Sequence, residues 1–301
     1  MDATAHRLLW FPLALGAALA FAGHNGLGKK ALREVTPLEL ALGSHLILAL
    51  VVTLVTVSRA AMTGWHLPQV REGFWPAILA TSAMNVVALL LMFAGIRSSP
   101  LSISVPYLSF TPVFILLTGR LLLGEAVGTA AGLCVLSVAC GSWLLHLQEG
   151  SGFLGPFRAL MAQTGPRNLL AVALIYSVSA VVDKMALLRA DLLTFLMAAS
   201  WTRIALMLPL FARRTPGLPG GLARIMSAGW PVGLMFSLEG FTHMAAISLG
   251  PVAYVVAVKR TSVLFSALLG FAAFGERRNY RVLGGILLMA GGAIALSVLS
   301  N

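Results

Sequence analysis

Residues 99–127, SPLSISVPYLSFTPVFILLTGRLLLGEAV, lie without a gap over residues 250–278, GPVAYVVAVKRTSVLFSALLGFAAFGERR. Pro100 meets Pro251, Phe114 meets Phe265, Gly119 meets Gly270, and Gly124-Glu125 meets Gly275-Glu276. The same register sets Gly141 over Gly292. Upstream, after a four-residue slip, Trp75-Pro76 meets Trp230-Pro231, Gly95 meets Gly250 and Lys29 meets Lys184. Gly-Glu, Trp-Pro and the two prolines are not low-complexity matches, so the chain is read as two copies of one unit.

What surrounds the repeat is apolar. The 301 residues are 58% hydrophobic and 10% charged, whereas a soluble domain carries about 25% charge. Runs near the length needed to cross about 30 Å of hydrocarbon fall at 8–28, 37–57, 73–95, 100–121, 127–146, 168–188, 192–212, 229–249, 251–272 and 281–299. The expectation is an all-α membrane protein of ten transmembrane helices. The first repeat spans 1–146, a Gly- and Pro-bearing linker covers 147–167, and the second repeat spans 168–301. Each repeat holds an odd number of spans, so two fused copies must lie in opposite orientations. That is the inverted-repeat plan of secondary transporters, whose sites lie at the bilayer midplane between the halves. The opening stretch mimics a signal peptide, with Ala20-Phe21-Ala22 as a cleavage site. Its pairing with helix six argues for keeping it.

Composition also excludes. The net charge of +11 reflects scarce Asp and Glu, and suits short loops near anionic headgroups. No soluble basic face is long enough for nucleic acid. Cys134 and Cys140 occupy different faces of one helix and imply neither disulfide nor metal site. No His-Glu-x-x-His, Gly-x-Ser-x-Gly or nucleotide loop is present, so an intramembrane enzyme with catalytic residues is the least favoured reading. No metal ligand set and no cofactor is implied.

Ten helices in two five-helix halves, with LLLGEAV and AAFGERR after helices four and nine, resemble the EamA domains of the drug/metabolite transporter superfamily. The resemblance covers essentially the whole chain. It implies a ten-helix basket in a bacterial inner membrane that carries small polar metabolites by alternating access. VAVKRTS in helix nine is similar to the Lys-Arg of the organic-phosphate and nucleotide-sugar branch, where the pair is thought to hold the anionic part of the substrate. The chain departs from the common pattern in carrying His45 where the second helix often has Arg. The resemblance sets both termini in the cytoplasm, whereas the positions of the loop arginines set them outside.

Ionisable groups at membrane depth face a bundle interior or a water-filled cavity and are functional by default. The substrate-binding candidates are Lys259, Arg260, Arg203, Tyr254, Tyr107, His45 and Asn85. Glu239 and His243 share one face of helix eight and are read as a coupling or ion-pair set. Glu125 and Glu276 are read as structural caps, each favouring the N-terminus of the following helix. Asp183 and Lys184, near a helix end, are expected to form a solvated interfacial pair, and Lys29 and Lys30 to reach headgroups. Arg203, Lys259 and Arg260 outnumber Glu239, and an uncompensated buried cation is costly. The expected function is therefore secondary transport of a small polar, anionic metabolite. A flippase for a lipid or lipid-linked headgroup on the same fold is the alternative. Gly284, Gly285, Gly291 and Gly292 could pack helix ten within the bundle or against a second protomer in a homodimer.

Overall fold

The computed structural model describes residues 9–64, 69–98, 105–145, 162–214, 218–262, 265 and 280–299. Ten α-helices follow one another: α1 (Trp10–Ala31), α2 (Pro37–Thr63), α3 (Phe74–Ser98), α4 (Thr111–Leu123), α5 (Thr129–Leu145), α6 (Thr164–Leu187), α7 (Leu192–Arg214), α8 (Leu218–Leu249), α9 (Val252–Lys259) and α10 (Tyr280–Leu299). A 3₁₀ helix, Val105–Phe110, leads into α4, and no strand occurs among the described residues. Among the described residues, five helices are long and apolar enough to cross a membrane: Pro37–Thr63, Phe74–Ser98, Thr164–Leu187, Leu192–Arg213 and Ile225–Leu249.

Local chemistry fixes the helix ends. α2 starts in a reciprocal capping box: the Thr36 N–H donates to Glu39 Oε2 at 2.7 Å and the Glu39 N–H to Thr36 Oγ1 at 3.3 Å. Pro37 at the first helical position loses nothing, because its missing donor would be unpaired there anyway. α4 ends at Gly124, whose φ of 69° is left-handed and free of strain without a Cβ.

The helix contacts fall into matched pairs. α3 packs on α6 as α8 packs on α1; α4 on α6 as α9 on α1; α7 on α3 as α2 on α8. Each pair becomes the other when the halves are exchanged. α5 and α10, related to each other by the repeat, form one tight pair. A Cβ added at Gly141 would stand 2.7 Å from Gly285 O, and one at Gly292 would stand 2.9 Å from Cys134 O. Three of the four glycines of helix ten, Gly284, Gly285 and Gly292, thus sit against α5 of the same chain, while Gly291 faces open space. Leu54, Leu121, Leu287 and Val298 point outward, as a lipid-facing surface requires. Trp75 and Trp230, matched by the repeat, are both exposed and suit the interfacial aromatic belt.

Two expected spans differ from the structure. Helix nine was expected to run unbroken over 251–272; α9 instead gives way to a turn at residues 260–261, helical geometry returns at Ser262, and residues 263–264 and 266–272 lie outside the described residues. Arg260 N–H reaches Ala257 O at 3.0 Å and Thr261 N–H reaches Val258 O at 2.9 Å, a tighter 3₁₀ winding. Helix four was expected from residue 100, and its 3₁₀ segment gives way to α4 at Phe110–Thr111. In the Pro100–Pro251 register, Phe110 lies over Thr261. The two matched helices therefore change winding at the same place. The expected linker narrows as well, since α6 begins at Thr164 and takes in Gly165 and Pro166. The other linker residues before Ala162, and Glu276, lie outside the described residues.

Candidate functional site

One internal cavity of about 90 Å³ collects nearly every polar group that sequence depth marked. His45 from α2, Asn85 from α3, Arg203 from α7, Glu239 and His243 from α8, and Lys259 and Arg260 at the end of α9 all line it. It also gathers groups that were not among those candidates: His24, Thr111, Tyr176, Ser179 and Asp183.

α9 ends where its cations stand, so the last carbonyls of the helix lie beside two positive charges, the polarity a helix C-terminus favours. Lys259 Nζ makes a short salt bridge with Glu239 Oε1. Arg260 Nη2 donates to Thr111 Oγ1 at 3.1 Å. The ring of Phe21 faces both cations, with Lys259 Nζ 5.0 Å and Arg260 Cζ 5.8 Å from its centroid. Desolvated cations gain from such a ring face. Two adjacent cations in an apolar span thus have a structural account: Lys259 is paired, and both line a cavity.

Asp183 corrects an expectation. It is 4% exposed and is not a solvated interfacial partner of Lys184. Thr81 Oγ1 donates to Asp183 Oδ1 at 2.5 Å, and Arg203 Nη2 approaches the same oxygen at 3.9 Å. Asn85 Nδ2 donates to Thr81 Oγ1 at 2.9 Å and extends the network. Neighbouring helix residues point about 100° apart, so Lys184 looks elsewhere. It pairs with Glu125 Oε1 at 2.6 Å and donates to Gly250 O at 2.8 Å. Lys29, expected to reach headgroups, donates to Ile96 O.

The other expected residues stand apart from the cavity. Tyr107 packs edge-on against Trp143, with centroids 5.7 Å apart. Tyr254 packs against Trp10 at 6.1 Å. A signal was available for Tyr254: five residues before Lys259 is about 140° around a helix. Glu125 caps, but not the following helix: its Oε2 accepts the Val252 N–H, the first of α9, at 3.1 Å. Among the described residues no cluster of His, Cys, Asp or Glu could hold a metal ion.

Several buried polar atoms in the site have no hydrogen-bond partner among the described residues. They are both ring nitrogens of His24, Nε2 of His45, Nδ1 of His243, and Nε of Arg203 and of Arg260. Buried polar groups are normally satisfied, so these mark where a ligand or water would bond.

Comparison with known proteins agrees with this architecture. A solved crystal structure aligns over 97% of this chain and 97% of its own at a TM-score of 0.69 and 18% identity, which shows a shared fold. No curated protein sequence matches. Residues 8–147 match the EamA-like transporter family. The first half of the chain is thus similar to the EamA-like transporters of the drug/metabolite type, and the apolar helices agree with a multi-pass membrane protein.

Proposed function

We propose that the protein is a secondary transporter that carries a small anionic metabolite by alternating access between two inverted five-helix repeats in a bacterial inner membrane. The observation that carries this reading is the charge in the cavity. Arg203, Lys259 and Arg260 stand against Asp183 and Glu239, leaving one cation in excess among its lining residues. Burying an unmatched charge costs several kcal/mol, and an anion supplies the match. The paired exchange of helix contacts and the matched change of winding in helices four and nine support the repeat. Lys259 and Arg260 hold the anionic group, with Arg203 and Asn85 beside it. A transporter of this kind needs no cofactor and acts on its substrate without covalent chemistry.

The test is a thermal-shift and uptake panel in liposomes with phosphorylated, carboxylated, zwitterionic and cationic metabolites, repeated on Lys259→Gln and Arg260→Gln. Anions should stabilise the parent, and the effect should fall at least tenfold in Arg260→Gln. Stabilisation by cations alone, unchanged in both variants, overturns the reading.

A further inference from the structure

The two halves contribute unequally to the cavity. In the Lys29–Lys184 register, Asp183, Arg203, Glu239 and His243 lie over Gly28, Leu48, Met84 and Ala88; in the Pro100–Pro251 register, Lys259 and Arg260 lie over Leu108 and Ser109. Every Asp, Glu, Lys and Arg lining the cavity therefore comes from the second half, and each has an uncharged counterpart in the first. Several lining positions are themselves matched pairs: Phe21 with Tyr176, His24 with Ser179, Leu48 with Arg203, Leu89 with Met244. The cavity thus lies between equivalent surfaces of the two repeats: its charges all come from one side, while the other sets the apolar Phe21, Leu48, Leu89 and Met92 beside the uncharged His24, His45, Asn85 and Thr111.

From this asymmetry, and resting on the anion-transport reading above, we propose that the substrate is an organic monoanion with a compact apolar body: a carboxylate headgroup on a short hydrocarbon or aromatic frame. The charge count sets the first part, since one excess cation is matched by one negative charge and a dianion would reverse the imbalance. The first-half wall sets the second. Phe21, Leu48, Leu89 and Met92 are all below 5% exposed while lining the cavity, so they offer an enclosed apolar surface rather than one continuous with lipid. Apolar area placed there gains about 25 cal/mol per Å², while a hydroxyl-rich body would lose hydrogen bonds to water there without replacement. The unpartnered nitrogens of His24 and His45 interrupt this wall and accommodate one neutral polar group on the body. The cavity is also small, about 90 Å³. A long acyl chain or a lipid tail does not fit it as it stands.

The experiment measures competition by unlabelled anions in the reconstituted full-length protein. Probes are phenylacetate, 4-hydroxyphenylacetate and isovalerate against gluconate, inorganic phosphate, glycerol phosphate and dodecanoate. The first three should compete at least tenfold better than the other four. Leu48→Ser and Leu89→Ser should each shrink that preference several-fold, weakening phenylacetate and isovalerate competition without a parallel loss of gluconate competition, a selective change that misfolding would not produce. Preference for phosphate or glycerol phosphate overturns this proposal and leaves the anion-transport reading intact. Dodecanoate as best competitor overturns it in favour of a lipid substrate. Failure of every anion to compete overturns both.

Discussion

Arg260, in the turn that follows α9, donates to Thr111 at the start of α4 at 3.1 Å, joining two helices where each changes winding. The bond spans the two halves of the molecule, so it holds the guanidinium in place over the cavity and ties the halves together. Thr111→Val removes the acceptor while keeping the shape. A hydrogen bond to a charged group contributes about 1.5–3 kcal/mol, so anion affinity should weaken about tenfold or more, measured by titration calorimetry. Thr111→Ser keeps the hydroxyl and should bind within about twofold of the parent.

The Lys259–Glu239 salt bridge is buried between α9 and α8. Glu239→Leu alone strands an ammonium, which costs about 3–5 kcal/mol. Lys259→Met alone strands the carboxylate and should cost a similar amount. The double variant removes both charges and should recover most of the loss, because replacing both partners of a buried pair with apolar groups is often neutral. Thermal unfolding in detergent decides it: the single losses should not add.

Asp183→Asn keeps an acceptor for the Thr81 hydroxyl but removes one of the two lining carboxylates. The cationic excess rises from one to two. Competition by inorganic phosphate should then improve relative to phenylacetate by about tenfold, at some loss of thermal stability. An unchanged ratio would show that Asp183 does not set the charge selectivity of the site.

How the sequence discloses this site differs from residue to residue. Helix order and the all-helical class follow from local patterns of apolar run and breaker, and they are legible. So is the depth of Arg203, His45, Glu239 and Lys259, because each sits mid-run where no interface is in reach. Asp183 is not legible by depth. It stands near the end of α6, and its burial depends on Thr81 of α3, which is distant in the chain. Glu125 was read against the helix next in sequence, yet the helix it caps is α9, brought to it by the tertiary fold. Tyr107 sits at the right depth on a face turned toward Trp143, and composition carries no information on facing at a 3₁₀–α junction.

The α5–α10 pair depends on backbone approach rather than on side-chain fit. A Cβ at Gly292 would meet Cys134 O and a Val138 methyl at 2.9 Å. The carbonyl cannot move aside without breaking helix geometry, so Gly292→Val must push the helices apart. Overpacking of this kind costs about 1–3 kcal/mol, visible as a fall in melting temperature. Gly291→Val faces open space and should change it little.

Glu125 joins three elements: it pairs with Lys184 of α6 at 2.6 Å, accepts the first N–H of α9 at 3.1 Å, and follows Gly124 at the end of α4. Lys184 in turn holds Gly250 O, two residues before α9. The start of the short helix that presents Lys259 and Arg260 is therefore pinned from outside the cavity. Glu125→Gln retains an oxygen for the Val252 N–H and should cost little beyond the partly exposed ion pair, whose value is about 1 kcal/mol or less. Glu125→Ala removes the cap as well, and loss of an N-terminal acceptor adds about 1 kcal/mol. Hydrogen exchange distinguishes the two: the amides of residues 252–255 should lose protection about tenfold in Glu125→Ala and far less in Glu125→Gln. Anion affinity should fall in the same order, since a frayed first turn lets the two cations drift from Thr111 and Glu239. Equal protection in both variants would mean that α9 is held by its apolar packing alone.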